Sequence, residues 1–131
     1  MFKLNKKTEY ALISLRHMQT NKNITISTKE IANEYMIPQD ILAKTLQQMS
    51  RFGYIIAFQG SKGGYKINKS LKNISLTEFV ERMEGPLGIA DCNISEDCIQ
   101  LPNCNIRIPI NKINDNLRSI FNQINLYDLT K

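Results

Sequence analysis

This chain of 131 residues has little histidine and no long apolar run, and no cysteine lies outside one cluster. It has one histidine, His17, and no nucleophile stands beside a base, which leaves little for acid–base or nucleophilic catalysis. No run is apolar over the length of a membrane span, and the first residues do not resemble a cleavable signal. We therefore expect a cytoplasmic protein that is not an enzyme.

Cysteine occurs only at Cys92, Cys98 and Cys104, with five residues between neighbours. In a reducing compartment an odd number of clustered cysteines is a poor disulfide framework, so metal or redox chemistry explains them better. Residues 88–109 show neither helical nor strand periodicity, and glycine and proline interrupt them. A segment of this kind needs something else to order it.

The net charge of +5 is unevenly distributed along the chain. Residues 1–72 hold 12 Lys and Arg against 4 Asp and Glu, a balance of +8, whereas residues 73–131 hold 5 against 8, a balance of −3. A basic half of this kind suggests contact with a polyanion, although lysines scattered over a solvated surface give the same total. Only the positions of the charges can distinguish contact with a polyanion from a solvated lysine surface.

Two short helices around a tight turn are predicted in the basic half. A helix over residues 7–20 precedes them and packs an apolar stripe inward. Ser27 and Glu30 form a capping-box pattern at the start of the next helix, and Pro38 can occupy the first turn of a third that ends before Gly53. This is a helix–turn–helix, whose second helix enters the major groove of DNA. Its inward positions are predicted to be Ile41, Leu42, Thr45, Leu46, Met49 and Phe52.

The outward face of that second helix carries amides and cations that can hydrogen-bond base edges and phosphates. Its candidate DNA contacts are Gln39, Lys44, Gln47, Gln48 and Arg51. Any exposed helix face carries such residues, so this face alone does not establish DNA binding. The next segment supports it: residues 54–58 and 65–67 alternate as strands around a glycine-rich turn, which predicts a hairpin wing. The candidate contacts of the wing are Ser61, Lys62 and Lys66. The glycine spacing matches neither phosphate-loop motif.

An apolar helix is predicted after residue 109, beyond a helix that runs from Ser75 to Glu84. Apolar residues recur in it at intervals of four, three and four, with Phe121 alongside: Ile113, Leu117, Ile120 and Ile124. Packing against its own domain is one explanation. Because the core elsewhere is small, we favour pairing with the same helix of a second copy, which would space two DNA-reading heads along palindromic DNA.

Several segments resemble the Rrf2 family of bacterial winged-helix regulators, and the resemblance covers nearly the whole chain. They are residues 5–12 (NKKTEYAL), Ile37-Pro38 with Leu42, 53–55 (GYI), 60–65 (GSKGGY), Leu76-Thr77-Glu78 and 126–129 (LYDL). Members similar to the iron–sulfur assembly regulator IscR and the nitric-oxide-sensitive repressor NsrR carry three cysteines placed like those here. The resemblance therefore implies a homodimer that binds double-stranded DNA and holds an iron–sulfur cluster.

Three thiolates leave such a cluster in need of a fourth donor. IscR-like members use a histidine three residues after the third cysteine, where this chain has Arg107, which cannot ligate. NsrR-like members can use a carboxylate near the start of the first helix, donated by the partner subunit, and Glu9 matches that position. Glu9 can equally be an ordinary acid at a helix N-terminus. Asp91, Asp97, water or an exogenous thiol are alternatives, and His17 is expected to be a plain surface residue. The missing histidine favours a four-iron over a two-iron cluster.

The sequence thus predicts a mainly α-helical fold with a small β-hairpin wing. A winged helix–turn–helix occupies residues 1–84, a cysteine loop that binds the cluster 85–108, and a dimerisation helix with a tail 109–131. We expect a transcriptional repressor whose operator affinity responds to nitric oxide, redox state or iron supply. Zinc at the cysteines or a thiol redox switch is the alternative. A small iron–sulfur electron carrier is a third hypothesis, disfavoured because a carrier needs neither the wing nor the basic half.

Overall fold

The computed structural model describes residues 3–94 and 96–131, apart from the side chain of Asp91. These residues form helices and one antiparallel hairpin, which confirms the predicted fold class. The α-helices are α1 (Lys6–Thr20), α2 (Thr28–Tyr35), α3 (Gln39–Arg51), α4 (Leu76–Glu84), α5 (Asp91–Ile94), α6 (Arg107–Gln123) and α7 (Leu126–Thr130). The strands are β1 (Ile55–Phe58) and β2 (Gly64–Ile67), and short 3-10 turns cover Leu71–Asn73 and Leu101–Asn103.

The first compact unit comprises Leu4–Leu71 with Tyr127–Lys131. Within it α1 and α2 both pack on α3, while β1 follows α3 and β2 lies against α1. The side chains at the centre of this unit are fully buried: Ala11, Leu15, Ile26, Ile31, Leu42, Leu46 and Met49. Removing a leucine of this kind costs about 2–5 kcal/mol in a packed core, so the helix–turn–helix is a stable support for its surface residues.

The turn between α2 and α3 follows from local chemistry. The hydroxyl of Ser27 accepts from the backbone N–H of Glu30 at 3.1 Å and caps α2, as its sequence predicts. The helix ends at Met36, which adopts a left-handed conformation with φ of 55°, and Ile37 N–H then donates to Ala32. Pro38 is the N-cap of α3 rather than a residue of its first turn, so that detail of the prediction was wrong.

The hairpin pairs Ile55 with Ile67 and Phe58 with Gly64, and an isolated bridge joins β2 to Ile26 through Tyr65. Its glycines are required by close backbone approach. A Cβ at position 63 would lie 2.5 Å from the carbonyl oxygen of Phe58, and one at position 64 would lie 2.4 Å from that of Ile26. The glycine-rich turn is therefore a structural requirement of the wing.

The second compact unit includes Lys72–Leu126, in which α4 and α5 both pack on α6. Ser75 caps α4 by accepting from the N–H of Glu78 at 3.1 Å. The buried apolar side chains of this unit are Ile74, Leu76, Phe79, Val80, Met83, Leu87 and Leu126. Among the described helices, none combines the length and the apolar character that crossing a membrane would require.

Besides the position of Pro38, four predictions about particular positions were wrong. Cys92 lies in the short helix α5 rather than in an irregular loop. Helix α6 begins at Arg107 and ends at Gln123, so Ile124 lies beyond it. The side chain of Ile41 is 47% exposed, because its neighbour Leu42 takes the inward position. His17 is not a plain surface residue, since its side chain is only 14% exposed and both ring nitrogens are bound.

Candidate functional site

The outer face of α3 carries most of the predicted DNA-contacting side chains. Gln39, Lys44, Gln47 and Arg51 are exposed, with Gln39 in the first turn and Arg51 in the last. Gln48 differs from them because it is half-buried and its amide oxygen is enclosed by the protein. Four of the five predicted side chains are therefore accessible on this face of α3.

The polar residues of the wing lie at its tip and along strand β2. Ser61 and Lys62 are exposed at the tip, where neither is committed to the sheet. Lys66 lies on β2 and is half-buried, and its ammonium group sits 5.5 Å from the centre of the Phe58 ring, within the range of a cation–π contact. The ammonium group of Lys62 is thus accessible to a phosphate, whereas that of Lys66 lies against the hairpin.

Glu9 lies in the first turn of α1, where a carboxylate interacts favourably with the helix dipole. Its Oε2 is 3.0 Å from the Nζ of Lys6, and this hydrogen bond raises the pKa of Lys6. The lysine side chain is 76% exposed, and such surface pairs contribute little to stability. The carboxylate can therefore exchange this partner for another ligand at small cost.

The three cysteines are free thiols, each half-buried. Cys92 lies in α5, Cys98 points its Sγ at Oε1 of Gln100 at 3.4 Å, and Cys104 directly follows the 3-10 turn Leu101–Asn103. Among the side chains that the structure describes, which exclude that of Asp91, no three of Cys, His, Asp or Glu lie close enough to hold one metal ion. This finding concerns a single ion, whereas the three thiols would each bind a different iron of a cluster.

The chemistry of this donor set suits a soft metal. Thiolates are the ligands of iron–sulfur clusters, and they also bind zinc. Arg107, the first residue of α6, supplies no lone pair to a metal, and the side chain of Asp91 lies outside what the structure describes. The residues present therefore fit a cluster held by three cysteines and one further donor.

A polar face on α6 was missed by the sequence analysis. Asn111, Asn114 and Arg118 recur at intervals of three and four, which places them on one side of the helix. Asn114 accepts from the backbone N–H of Ile89 at 3.2 Å, so this side faces the segment that leads to Cys92. The same helical spacing, applied to polar rather than apolar residues, would have found it.

Residues 4–131 match the family model of Rrf2, described as an iron-dependent transcriptional regulator. The HTH-type transcriptional regulator NsrR of Bacillus licheniformis is 28% identical over 130 residues, which cover 97% of this chain and 91% of that protein. Transcriptional regulators of this kind bind DNA.

Two solved structures share the fold at lower identity. The oxidized form of CymR from Staphylococcus aureus has a TM-score of 0.78 at 21% identity and covers 99% of this chain and 97% of its own. IscR of T. potens has a TM-score of 0.73 at 16% identity, covering 98% and 85%. Because the family model matches nearly the whole length, the chain belongs to the Rrf2 family and is a transcriptional regulator, not an enzyme.

Proposed function

We propose that this chain is a cytoplasmic repressor whose operator affinity is controlled by an iron–sulfur cluster bound to Cys92, Cys98 and Cys104. The observation that carries the proposal is the set of three free, partly accessible thiols within thirteen residues, in a chain matched by a family described as iron-dependent. The relatives named NsrR and IscR point the same way. Nitric oxide, redox state or iron supply is the proposed signal.

The fourth ligand in this proposal is Glu9 of the partner subunit. Support comes from its accessible position in the first turn of α1 and from the weak contact that its carboxylate makes with Lys6. The carboxylate would bind through a hard oxygen donor, which holds iron less firmly than a fourth thiolate. A ligand of this kind suits a site that has to release its cluster in response to a signal. We favour a four-iron cluster.

The bound cluster would supply a reactivity toward nitric oxide and oxygen beyond that of the thiols themselves. The chain's own part is to order residues 96–106, which carry Cys98 and Cys104, and to hold Cys92 on α5. Ordering a segment on binding is a common way to switch an interface. In this proposal residues 1–84 bind DNA, residues 85–108 bind the cluster and residues 109–131 form the dimer.

In the proposed complex α3 enters the major groove and the wing meets the adjacent backbone. Gln39 and Gln47 would read bases, while Lys44 and Arg51 would contact bases or phosphates. Gln48 would join them only after its enclosed amide turns outward. Ser61, Lys62 and Lys66 would bind the sugar–phosphate backbone beside the minor groove. The exposure of the α3 face and of the wing tip supports this assignment, as does the excess of +8 in residues 1–72.

A homodimer through α6 completes the proposal. Ile113 is 54% exposed and Ile120 is 55% exposed, and they lie seven residues apart on one side of the helix. Apolar residues with this spacing form the seam of paired helices, and a second copy of α6 offers a matching surface. Two copies would present two α3 helices to a palindromic operator.

A thiol switch or a zinc site at the same cysteines is the second candidate. It is favoured by the free state and partial exposure of the thiols, since accessible thiols are the ones that oxidise. The CymR relative was solved in an oxidized form. In this alternative the DNA-binding surface is unchanged, and only the signal differs.

The deciding experiment is anaerobic purification, followed by iron and acid-labile sulfide analysis and visible spectroscopy. An operator selected from random DNA is then titrated before and after nitric oxide treatment. We expect iron and sulfide in equal amounts and a change in operator affinity when the colour is lost. Zinc without sulfide, or colourless protein whose affinity follows thiol oxidation, would contradict the cluster and support the second candidate. Cys98→Ala is expected to be colourless, with Ser95→Ala as the coloured control.

A further inference from the structure

The residue that directly follows Cys92 is tied to α6 through an asparagine pair. The Nδ2 of Asn93 donates to Oδ1 of Asn111 at 2.8 Å, and the Oδ1 of Asn93 accepts from the N–H of Ala90 at 3.2 Å. One amide thus closes the turn that starts α5 and also joins this helix to α6. Helix α5 has only four residues and cannot be stable alone, so these contacts fix its position.

A second asparagine of α6 holds the preceding backbone. Asn114 is only 6% exposed, and it accepts from the N–H of Ile89 at 3.2 Å. Asparagine is a poor helix former and is costly to bury without a partner. Its presence here serves a specific contact, because a hydrophobic residue would give a more stable helix interior. We name Asn93, Asn111 and Asn114 the asparagine clasp.

The far end of the same segment is fixed by charge. Arg118 of α6 donates to Glu81 of α4 at 2.9 Å, and the other oxygen of Glu81 accepts from the N–H of Leu87 at 3.2 Å. At Gly88 an added Cβ would lie 2.8 Å from the Cβ of Asn93, so the chain passes very close to α5. Residues 87–93 are therefore held along α6 at several points.

Cys98 and the residues between it and Cys104 are held by local contacts. The N–H of Leu101 donates to the carbonyl of Cys98 at 3.1 Å, and the N–H of Asn103 donates to that of Gln100 at 3.0 Å. These bonds shape turns within residues 98–103. The clasp, in contrast, links the residue next to Cys92 directly to the helix with the exposed isoleucines.

We propose that the asparagine clasp positions Cys92 and transmits ligand binding at this thiol to α6. This inference rests on the proposed cluster at the three cysteines. A group bound by all three cysteines acts on α5 through Cys92, and the bond from Asn93 to Asn111 carries a displacement of α5 into α6. Shifts of one or two ångströms in an interface helix are a known means of switching, and Ile113 and Ile120 lie on this helix. Asn93, Asn111 and Asn114 are positioning residues and do not touch the bound group.

The test uses the full-length protein reconstituted anaerobically with iron and sulfide. Asn111→Ala removes the acceptor while favouring the helix. Asn111→Asp retains an acceptor oxygen and is the rescue variant. A double change, Asn93→Asp with Asn111→Asp, sets two carboxylates against each other. Asn116→Ala, at an exposed position of α6, is the matched control. The readouts are visible absorbance, amide hydrogen exchange in residues 107–123, and operator affinity with and without cluster.

We expect every variant to load the cluster. In the wild type, the Asn116→Ala control and the Asn111→Asp rescue, loading should slow exchange in α6 and change operator affinity. In Asn111→Ala and in the double variant, both responses should shrink about fivefold, the effect of losing one hydrogen bond. If these two variants respond like the wild type, the clasp inference is overturned and the cluster proposal stands. If the wild type binds no cluster, the proposed function fails, and the inference with it.

Discussion

The imidazole of His17 lies between two groups of α2: its Nε2 is 2.7 Å from the Oε2 of Glu30, and its Nδ1 is 2.8 Å from the hydroxyl of Tyr35. The rings of His17 and Tyr35 also meet edge to face, with centroids 5.4 Å apart. One side chain of α1 thus fixes the orientation of the first helix of the helix–turn–helix. The carboxylate of Glu30 makes this contact although its sequence pattern predicts a return to the backbone at Ser27.

Loss of the imidazole should destabilise the DNA-binding unit. We expect His17→Ala to lower the free energy of unfolding by about 1–2 kcal/mol, the value of one or two partly exposed hydrogen bonds. Urea denaturation measures it. Arg16→Ala, at the exposed neighbouring position of α1, should change stability by less than about 0.5 kcal/mol. Equal losses in the two variants would mean that the contacts of His17 with Glu30 and Tyr35 contribute nothing to stability.

The left-handed residue at the end of α2 offers a stabilising change. Met36 has φ of 55° and is 90% exposed, so it bears a backbone cost and buries almost nothing. We expect Met36→Gly to stabilise the protein by about 0.5–1 kcal/mol, because glycine adopts this conformation without steric conflict. Calorimetry should show a rise in Tm of about 2–4 °C. Met36→Leu is the control and should melt with the wild type, while a lower Tm for the glycine variant would contradict the argument.

The ends of α2 and α4 were predictable because short-range signals determine them. Ser27 and Ser75 cap these helices in the predicted way, and Gly85 ends α4. Periodicity was less decisive where two apolar residues adjoin. Ile41 and Leu42 differ by 100° around α3, so only one can face the core, and the pattern alone did not identify which.

The residue types of the candidate site were predictable, whereas the contacts that hold these residues in place were less so. The three clustered cysteines indicate thiolate chemistry from the sequence alone. Helix α5 could not be predicted, since four residues contain no period, and it is held by Asn111, eighteen positions away from Asn93. The bond from His17 to Glu30 spans thirteen positions and also depends on the packing of α1 beside α2. Contacts between elements of this kind have no signature in a single sequence.

The two parts of the DNA surface should respond differently to substitution. We expect Lys62→Ala to weaken binding to all DNA sequences and to reduce the slope of log K against log salt by about 0.9, as one phosphate contact is lost. Gln47→Ala should leave that slope unchanged and cost about 1–3 kcal/mol on the selected operator. Fluorescence anisotropy over a range of salt concentrations separates the two effects.

The control for these variants is Lys112→Ala, which removes an exposed cation from α6 rather than from the wing. Its salt slope should equal that of the wild type. If Lys62→Ala and Lys112→Ala behave alike, the wing tip does not contact DNA in the proposed way.

Self-association through α6 is tested by placing charge on its exposed apolar residues. A double variant, Ile113→Glu with Ile120→Glu, should be monomeric in analytical ultracentrifugation, because burying two carboxylates at a paired seam is costly. Ser119→Glu adds a charge at an exposed position of the same helix and should leave the oligomeric state unchanged. A double variant that stays dimeric would place the interface elsewhere, and a monomeric wild type would contradict the proposed homodimer.

The identity of the fourth ligand can be tested by moving it. Glu9→Ala should lose iron and sulfide about tenfold faster in air than the wild type, because one of four donors is gone. Adding Arg107→His to this variant supplies an imidazole three residues after Cys104, which is a better iron ligand than water, and should restore most of the lifetime. Bleaching of the visible absorbance gives both rates. Glu78→Ala removes a comparable first-turn acid from α4 and should bleach like the wild type. A normal lifetime for Glu9→Ala removes Glu9 from the site, and rescue by the histidine in that same background would then be absent, since nothing was lost to restore.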